Sequence, residues 1–306
     1  MVRLKKKYYI AILLTIFFAT EVSLRQFWGF ANAPLYYESQ SYEYMARPNQ
    51  DGYRFGNHYH YNAYSQRSEE PDSTKVIVLG LGDSVLYGGV MTDQDSIATS
   101  LFSAETGMQM LNISAGSWGP DNCAAYLKEK GLFGARAMFL LVSSHDAHDN
   151  MDFKEVVGKH ASYPDKQYLF AWGELIGRYV YPKTLGRLLG GGGNSDDPDK
   201  QVLNGIGIRK KGKVFNPGFA ELKAMADSAN IPLIVCLHPD KEELQQRTYN
   251  EQGQEIIGWC RSNGIEPILE LDEGIKADMY RDGIHTNAKG QRLEADLMKK
   301  YILERL

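Results

Sequence analysis

Side chains able to perform nucleophilic chemistry stand at the ends of buried apolar runs. Gly82-Asp83-Ser84 follows the apolar run at 76–79, and Asp282-Gly283-Ile284-His285 precedes the last helical stretch. A serine hydroxyl attacks poorly unless a base takes its proton, and a third group must fix the tautomer of that base. The spacing predicts Ser84 as nucleophile, His285 as base and Asp282 as the acid that orients His285.

A nucleophile of this kind also needs hydrogen-bond donors for the negative charge that develops on its substrate. The backbone N–H groups of Ser84 and Gly119 are the first candidates, because glycine lets the main chain approach a substrate carbonyl closely. His238 also follows an apolar run and is a rival base. It has no acid at close spacing, so an ordinary loop or core histidine is the favoured interpretation.

Five short apolar runs alternate with helical stretches from residue 75 onward. This alternation predicts a parallel sheet with helices on both faces. Ligands bind such sheets outside the carboxyl ends of the strands, where the reactive residues stand. The predicted strands are 76–79, 110–113, 138–142, 231–235 and 268–271, and the predicted helices are 95–106, 121–129, 219–229, 252–262 and 288–305.

Three blocks of the chain resemble the SGNH/GDSL hydrolases. Gly82-Asp83-Ser84-Val85 is similar to the nucleophile block, Ala115-Gly116-Ser117-Trp118-Gly119 to the glycine block, and 282–290 to the terminal block. The resemblance covers roughly 75–301 apart from an insertion. It implies a three-layer flavodoxin-like fold with a five-stranded parallel sheet, activity on esters, and no metal or other cofactor. Within the glycine block it makes Gly119 the first oxyanion donor and Gly116 the second.

The third block departs from the family pattern. The family has Gly-x-Asn-Asp there, with the asparagine amide donating to the oxyanion, whereas this chain has Ser144-His145-Asp146. A neutral imidazole donates one hydrogen bond, so His145 is predicted to complete the oxyanion hole. The alternative is a structural His145, with Asn150 or no side chain as the third donor.

The amino terminus predicts a membrane anchor. A basic tip precedes an apolar run at 8–20, and Glu21 and Arg25 stand at helical spacing before Phe27 and Trp28. The positive-inside rule then places the rest of the chain outside the cytoplasm. The alternative is a signal peptide cleaved near Ala33, giving a secreted protein. The predicted organisation is a tip and anchor at 1–30, an extended stalk with little regular structure at 31–73, and a catalytic domain at 74–306 with an insertion at about 147–217.

Composition excludes one class of partner. The net charge is −4. The basic tip contributes +4 through Arg3, Lys5, Lys6 and Lys7, so the remainder of the chain is acidic. Such a body lacks the electrostatic attraction that nucleic-acid binding needs. The cysteines at 123, 236 and 260 are expected to be buried thiols, although a Cys236–Cys260 bridge stays open. His58 and His60 lack a completing ligand set and are expected to be exposed loop residues without a metal.

The expected function is serine-dependent acyl-ester hydrolysis or acyl transfer outside the cytoplasm. By analogy with proteins that resemble this arrangement, the substrate is an acylated, for example acetylated, carbohydrate or another small ester. A multi-pass membrane acyltransferase is an expected partner, besides lipid around the anchor. The alternative is a catalytically weak or silent domain that binds a glycan or such a partner. The aromatic stretch 168–181 of the insertion is expected to pack as a helix or to line a sugar cleft, and the run 190–193 to be a flexible loop.

Overall fold

The computed structural model describes residues 6–180, 208, 210 and 212–306. Residues 1–5 of the predicted basic tip and the glycine run at 190–193 lie outside the described residues. The helices are α1 (Lys6–Trp28), α2 (Ser84–Tyr87), α3 (Ala98–Thr106), α4 (Pro120–Lys130), α5 (Ala171–Glu174, continued by a π-helical turn at Leu175–Val180), α6 (Gly218–Ala229), α7 (Lys241–Gln246), α8 (Glu251–Ser262) and α9 (Ala288–Leu303). The strands are β1 (Tyr36–Ser39), β2 (Glu43–Ala46), β3 (Gln50–Arg54), β4 (Asn57–Tyr61), β5 (Ile77–Gly82), β6 (Gln109–Ser114), β7 (Ala137–Ser143), β8 (Leu233–His238) and β9 (Ile268–Leu269).

The central element is a five-stranded sheet in the order β6-β5-β7-β8-β9, in which every pair of neighbours is parallel. This confirms the predicted fold class. Every residue of β5, β6, β7 and β8 is buried, as expected when helices cover both faces of a parallel sheet. The carboxyl ends of these strands form one edge, which carries the reactive residues.

The two faces of the sheet pack into separate hydrophobic clusters. Alternate residues of a strand point to opposite faces, so Leu140 and Val142 join one cluster while Phe139 and Leu141 join the other. Helices α4, α6 and α8 supply the first cluster through Tyr126, Leu222 and Ile256, among others. Helices α3 and α9 cover the second face, with Phe102 and Met298 at its centre.

The prediction of an extended stalk with little regular structure at 31–73 was wrong. Two antiparallel hairpins, β1–β2 and β3–β4, occupy this segment. Tyr42, Tyr44, Tyr59 and Tyr61 are buried in the same cluster as the first face of the sheet. His58 and His60, expected in a loop, lie on β4, where a ring nitrogen of each lies 3.0–3.1 Å from Asp51 Oδ2. The segment is part of the folded domain.

The hairpins support the helix that begins at Ser84. The hydroxyl groups of Tyr36 and Tyr61 both hydrogen-bond the Tyr87 hydroxyl at the end of α2. The buried guanidinium of Arg67 donates to the carbonyl oxygens of Tyr87 and Thr92 at 2.6 and 2.7 Å. Buried polar groups of this kind need partners, and here the partners are the backbone that follows the nucleophile.

Helix α1 is the one helix of the described residues that is long and apolar enough to cross a membrane. Its last turns pack on the insertion, where Glu21 accepts hydrogen bonds from the backbone N–H groups of Ala171 and Trp172. Of the aromatic stretch predicted to pack as a helix, 171–180 is helical, with Ala171 and Glu174 buried and Tyr179 in contact with Phe30. Tyr168 and Phe170 precede the helix and are exposed.

All three cysteines are free and buried, which confirms the prediction of buried thiols. The open alternative of a Cys236–Cys260 bridge is not formed.

Candidate active site

The turn between β5 and α2 positions Ser84 at the carboxyl edge of the sheet. Asp83 caps α2, because its Oδ1 accepts a hydrogen bond from the N–H of Val85 at 2.8 Å. Ser84 is the first residue of the helix, so its own N–H has no intrahelical partner. The side chain is half-buried, which leaves the hydroxyl accessible at the edge.

Ser84, His285 and Asp282 form an unbroken chain of hydrogen bonds. His285 Nε2 lies 2.9 Å from Ser84 Oγ, and His285 Nδ1 lies 2.8 Å from Asp282 Oδ2. Burial tends to raise the pKa of Asp282, but hydrogen bonds from the His285 ring and from the N–H groups of Ile284 and His285 hold that pKa well below its usual value. Asp282 therefore remains a carboxylate and fixes the proton of His285 on Nδ1.

Buried polar groups hold the loop that carries His285 from both sides. His238 Nε2 donates to the Ile284 carbonyl at 2.8 Å, one residue before His285. Gln291 Nε2 donates to the Thr286 hydroxyl at 2.7 Å, one residue after it. Since Gln291 also accepts from the Ala98 N–H at 2.7 Å, the loop is tied to α9 and to the start of α3.

His238, the rival base, is one of the buried groups that hold the loop of His285. It is fully buried and pairs through Nδ1 with Glu270 Oε2 at 2.6 Å. Burial lowers the pKa of His238, but the charge and hydrogen bond of Glu270 outweigh burial and raise the pKa to about 9. Burial and the charge of Glu270 raise the pKa of the neighbouring Glu294 to about 8. The structure thus gives His238 a buried ion pair and no contact with the nucleophile.

The structure favours Gly116 over Gly119 as an oxyanion donor. Gly82 pairs with Ser114, so Ser84 and Gly116 stand equally far past the ends of neighbouring strands. Among the residues that the structure describes, neither the Ser84 N–H nor the Gly116 N–H has a hydrogen-bond partner. The Gly119 N–H, predicted as the first choice, already donates to Asn122 Oδ1 at 2.9 Å.

Gly119 is required for packing. A Cβ at this position would lie 2.3 Å from the Asp149 carbonyl oxygen, a distance that no side chain tolerates. The sequence correctly indicates a close approach of the main chain, but the group that approaches is the 147–150 loop and not a substrate carbonyl. The second-choice residue, Gly116, is instead held by its carbonyl, which accepts from Tyr44 and Tyr163 at 2.9 Å.

His145 lies among three carboxylates in the turn after β7. Its Nε2 is 3.5 Å from Asp83 Oδ2 and 3.9 Å from both Asp146 Oδ1 and Asp149 Oδ2. Burial lowers the pKa of His145, but the charges of these carboxylates outweigh it and raise the pKa to about 10. The carboxylates therefore favour a protonated ring over the neutral imidazole that the sequence predicts. The His145 side chain is 42% exposed, so one side of the ring faces the open edge.

Asn150, the alternative third donor, lies against residue 212. A Cβ on Gly212 would lie 1.9 Å from Asn150 Oδ1, and the Asn150 amide is buried without a hydrogen-bond partner among the described residues. Nothing in these contacts directs the amide toward Ser84.

Among the described residues, two groups of side chains bring potential metal-ligand atoms within 4.8 Å of one another. One is Asp83, His145 and Asp146, and the other is His238, Glu270 and Glu294. In both groups a histidine with a raised pKa already offsets part of the carboxylate charge. Asp83 Oδ2 and Asp146 Oδ1 are buried and accept no hydrogen bond from the part of the chain that the structure describes.

A Ser–His–Asp triad at the carboxyl edge of a parallel sheet defines the class of the serine hydrolases. No protein-family model and no curated protein sequence matches the chain. Two of the solved structures that are similar to it are each 12% identical to this chain, with a TM-score of 0.40. A lipolytic G-D-S-L family member from Veillonella parvula matches 76% of this chain and 100% of its own length. A GDSL-like lipase from Bacteroides thetaiotaomicron matches 78% and 93%.

Proposed function

We propose that this protein is a serine esterase or acyltransferase of the SGNH/GDSL type. The observation that carries the proposal is the hydrogen-bonded chain from Asp282 through His285 to Ser84. The backbone N–H groups of Ser84 and Gly116 follow neighbouring strands of the sheet and have no hydrogen-bond partner among the described residues. This arrangement supports an enzyme over a silent binding domain, because a binding domain has no need of an oriented base on a serine.

The proposed reaction has two halves. Ser84 Oγ attacks the acyl carbonyl while His285 Nε2 takes the serine proton, and the Ser84 and Gly116 N–H groups bind the oxyanion. The intermediate collapses to an acyl-serine as His285 returns the proton to the leaving oxygen. Water or an alcohol then attacks the acyl-serine, and His285 removes the proton of that acceptor and delivers it to Ser84.

In the proposal, His145 supplies a third hydrogen-bond donor to the oxyanion. Its Nε2 faces Asp83, Asp146 and Asp149, and a protonated ring keeps a second N–H on Nδ1. That Nδ1–H takes the place of the family asparagine amide. The carboxylates around the ring offset its positive charge, so its contribution is the hydrogen bond.

We propose that the substrate is an acyl ester, with an O-acetylated carbohydrate as the preferred class, and that the site lies outside the cytoplasm. The resemblance of the sequence blocks supports the ester. The anchored α1 after a basic tip supports the location. Phe30, Ala31 and Ala33 are buried in the domain, and this favours a retained anchor over cleavage near Ala33. A multi-pass acyltransferase partner remains a proposal from the resemblance alone.

The full chain in detergent micelles, incubated with p-nitrophenyl acetate, tests the proposal. We expect release of p-nitrophenol by the wild type and none above background by the matched Ser84→Ala variant. Equal release by both proteins would overturn the esterase. Adding carbohydrate fragments to the same mixture measures how the acetyl group partitions between water and sugar hydroxyls, and acetylated sugar identifies a transferase.

A further inference from the structure

We propose that the segment 168–172 enters the membrane beside α1, so that two elements seat the catalytic domain in lipid. The inference rests on the proposed membrane span of α1 and goes beyond it. Three observations support it, namely where the segment touches α1, which polar groups it satisfies, and what it exposes.

The segment contacts α1 well below the end of the helix. The ring of Phe170 lies 6.5 Å from that of Phe17, and Trp172 Nε1 donates to Thr20 Oγ1 at 3.1 Å. Because an α-helix rises about 1.5 Å per residue, Phe17 lies about 16 Å along the axis from Trp28. A segment that reaches this depth of a membrane-spanning helix lies at the depth of the lipid.

The polar groups of α1 that must lie in the bilayer find their partners in this segment. The uninterrupted apolar run at 8–20 spans only about 20 Å at that rise, whereas the hydrocarbon core is about 30 Å thick. The remaining thickness therefore includes Glu21 and Arg25. Glu21 is buried and accepts from two N–H groups of the segment, and Arg25 donates to Glu21 at 2.7 Å and to the Leu169 carbonyl at 2.6 Å.

The segment presents apolar side chains outward at the same level. Leu169 is 80% exposed and Phe170 is 48% exposed, beside a helix whose own apolar side chains are exposed. Phe27 and Trp28 are exposed at the end of that helix, as in the aromatic belt of a membrane interface. Lipid is the partner that fits, because the exposed ring of Phe170 lies against the exposed ring of Phe17 on α1.

The consequence concerns the orientation of the active site. A single helix followed by a flexible stalk would let the domain rotate freely above the bilayer. Here the segment, α1 and the hairpins form one packed unit, since Glu174 accepts from the Ala31 N–H and pairs with the buried Arg54 of β3. Ser84 is therefore held at a fixed distance from the membrane surface.

Fluorescence quenching by lipid tests the proposal. The full chain is prepared as single-site variants Leu169→Cys, Leu13→Cys and Leu303→Cys, labelled with the environment-sensitive dye NBD, and reconstituted into phosphatidylcholine vesicles with brominated acyl chains. The native cysteines are buried, so the introduced cysteine takes the label. Leu13 lies on α1, and Leu303 is an exposed residue near the end of α9.

We expect the brominated lipid to quench the label at 169 and at 13 alike, and to leave the label at 303 unquenched. Quenching at 13 without quenching at 169 overturns the inference and leaves the anchor standing. No quenching at 13 overturns the anchor and the inference together. Turnover of p-nitrophenyl acetate by the same labelled proteins reports on the proposed ester chemistry separately, and it is expected to match that of the unlabelled chain.

Discussion

Two histidine–carboxylate pairs lie close together in the fold and have different roles. His285 pairs with Asp282 at 2.8 Å, and His238 pairs with Glu270 at 2.6 Å. The catalytic pair is partly exposed and directs its free nitrogen to Ser84 Oγ, whereas the buried pair directs it to the Ile284 carbonyl. The hydrogen bond between histidine and acid is therefore common to both, and the atom beyond Nε2 decides whether the pair moves a proton or positions a loop.

Removing the base of the catalytic pair should give the largest effect. In His285→Ala, Ser84 has no proton acceptor, and we expect the rate of ester turnover to fall about 10⁴-fold or more. The fold should persist, because the pair lies at the edge of the sheet. Circular dichroism together with p-nitrophenyl acetate turnover checks both points, and a variant that keeps most of its activity would move the base elsewhere.

Removing the charge of the orienting acid should give the next largest effect. In Asp282→Asn, an amide can stabilise the wrong tautomer of His285, and we expect a loss of up to about 10⁴-fold in kcat. The matched Glu270→Gln variant of the buried pair should lose far less activity. Equal losses in kcat for the two variants would contradict the assignment of roles.

Breaking the buried pair should affect stability more than chemistry. His238→Leu leaves Glu270 buried without its partner, and we expect a loss of about 3–5 kcal/mol in the free energy of unfolding. Because Ile284 loses its donor, kcat should also fall, by about tenfold. Adding Glu270→Leu should restore part of the stability and none of the kcat. A His238→Leu protein that is as stable as the wild type would rule out the ion pair.

The buried pair also predicts a pH dependence of stability. The pKa of His238 rises from 6.5 to about 9 in the folded protein, so the folded state holds the proton more tightly than the unfolded state. Its contribution, on the order of 3 kcal/mol, is fully present below pH 6.5 and is lost as pH rises through 9. Denaturant unfolding between pH 6 and 10 should show this loss in the wild type and a smaller one in His238→Leu. Parallel curves would contradict the raised pKa.

The smallest effect is expected at His145, whose ring lies 3.5 Å from Asp83, the residue before Ser84. In His145→Asn, the amide can still donate to an oxyanion, so kcat should stay within about tenfold of the wild type. Because the carboxylates raise the pKa of His145 to about 10, the ionisation lost with the histidine should lie near pH 10. A pH–rate profile that loses no ionisation near pH 10 would contradict the raised pKa.

The sheet and the triad could be predicted because short-range patterns specify them. Continuous apolar runs mark β5, β7 and β8, and Asp-x-x-His spacing brings Asp282 to His285 within one turn. The hairpins were missed because their signal is weaker. Alternate tyrosines at 42 and 44, and again at 59 and 61, have the period of a half-buried strand, but polar residues between them resemble a loop.

Contacts between distant parts of the chain could not be predicted. Gly116 and Gly119 belong to one sequence block, and the sequence does not show which of the two N–H groups is free. Only the fold shows that the Gly119 N–H donates to Asn122 and that the Asp149 carbonyl oxygen lies against Gly119. The charge state of His145 depends on Asp83, which lies 62 positions earlier in the chain. The capping of residues 171 and 172 by Glu21 joins segments that are 150 residues apart.

Covalent labelling of the nucleophile tests the proposed triad most directly. The full chain in detergent is treated with a fluorophosphonate, which reacts with serines that a base has activated, and the adduct is located by peptide mass spectrometry. If His285 activates Ser84, we expect one adduct, on Ser84. This adduct should be absent from Ser84→Ala and strongly reduced in His285→Ala. A folded wild-type protein that stays unlabelled, or that is labelled at another serine, would contradict the proposed triad.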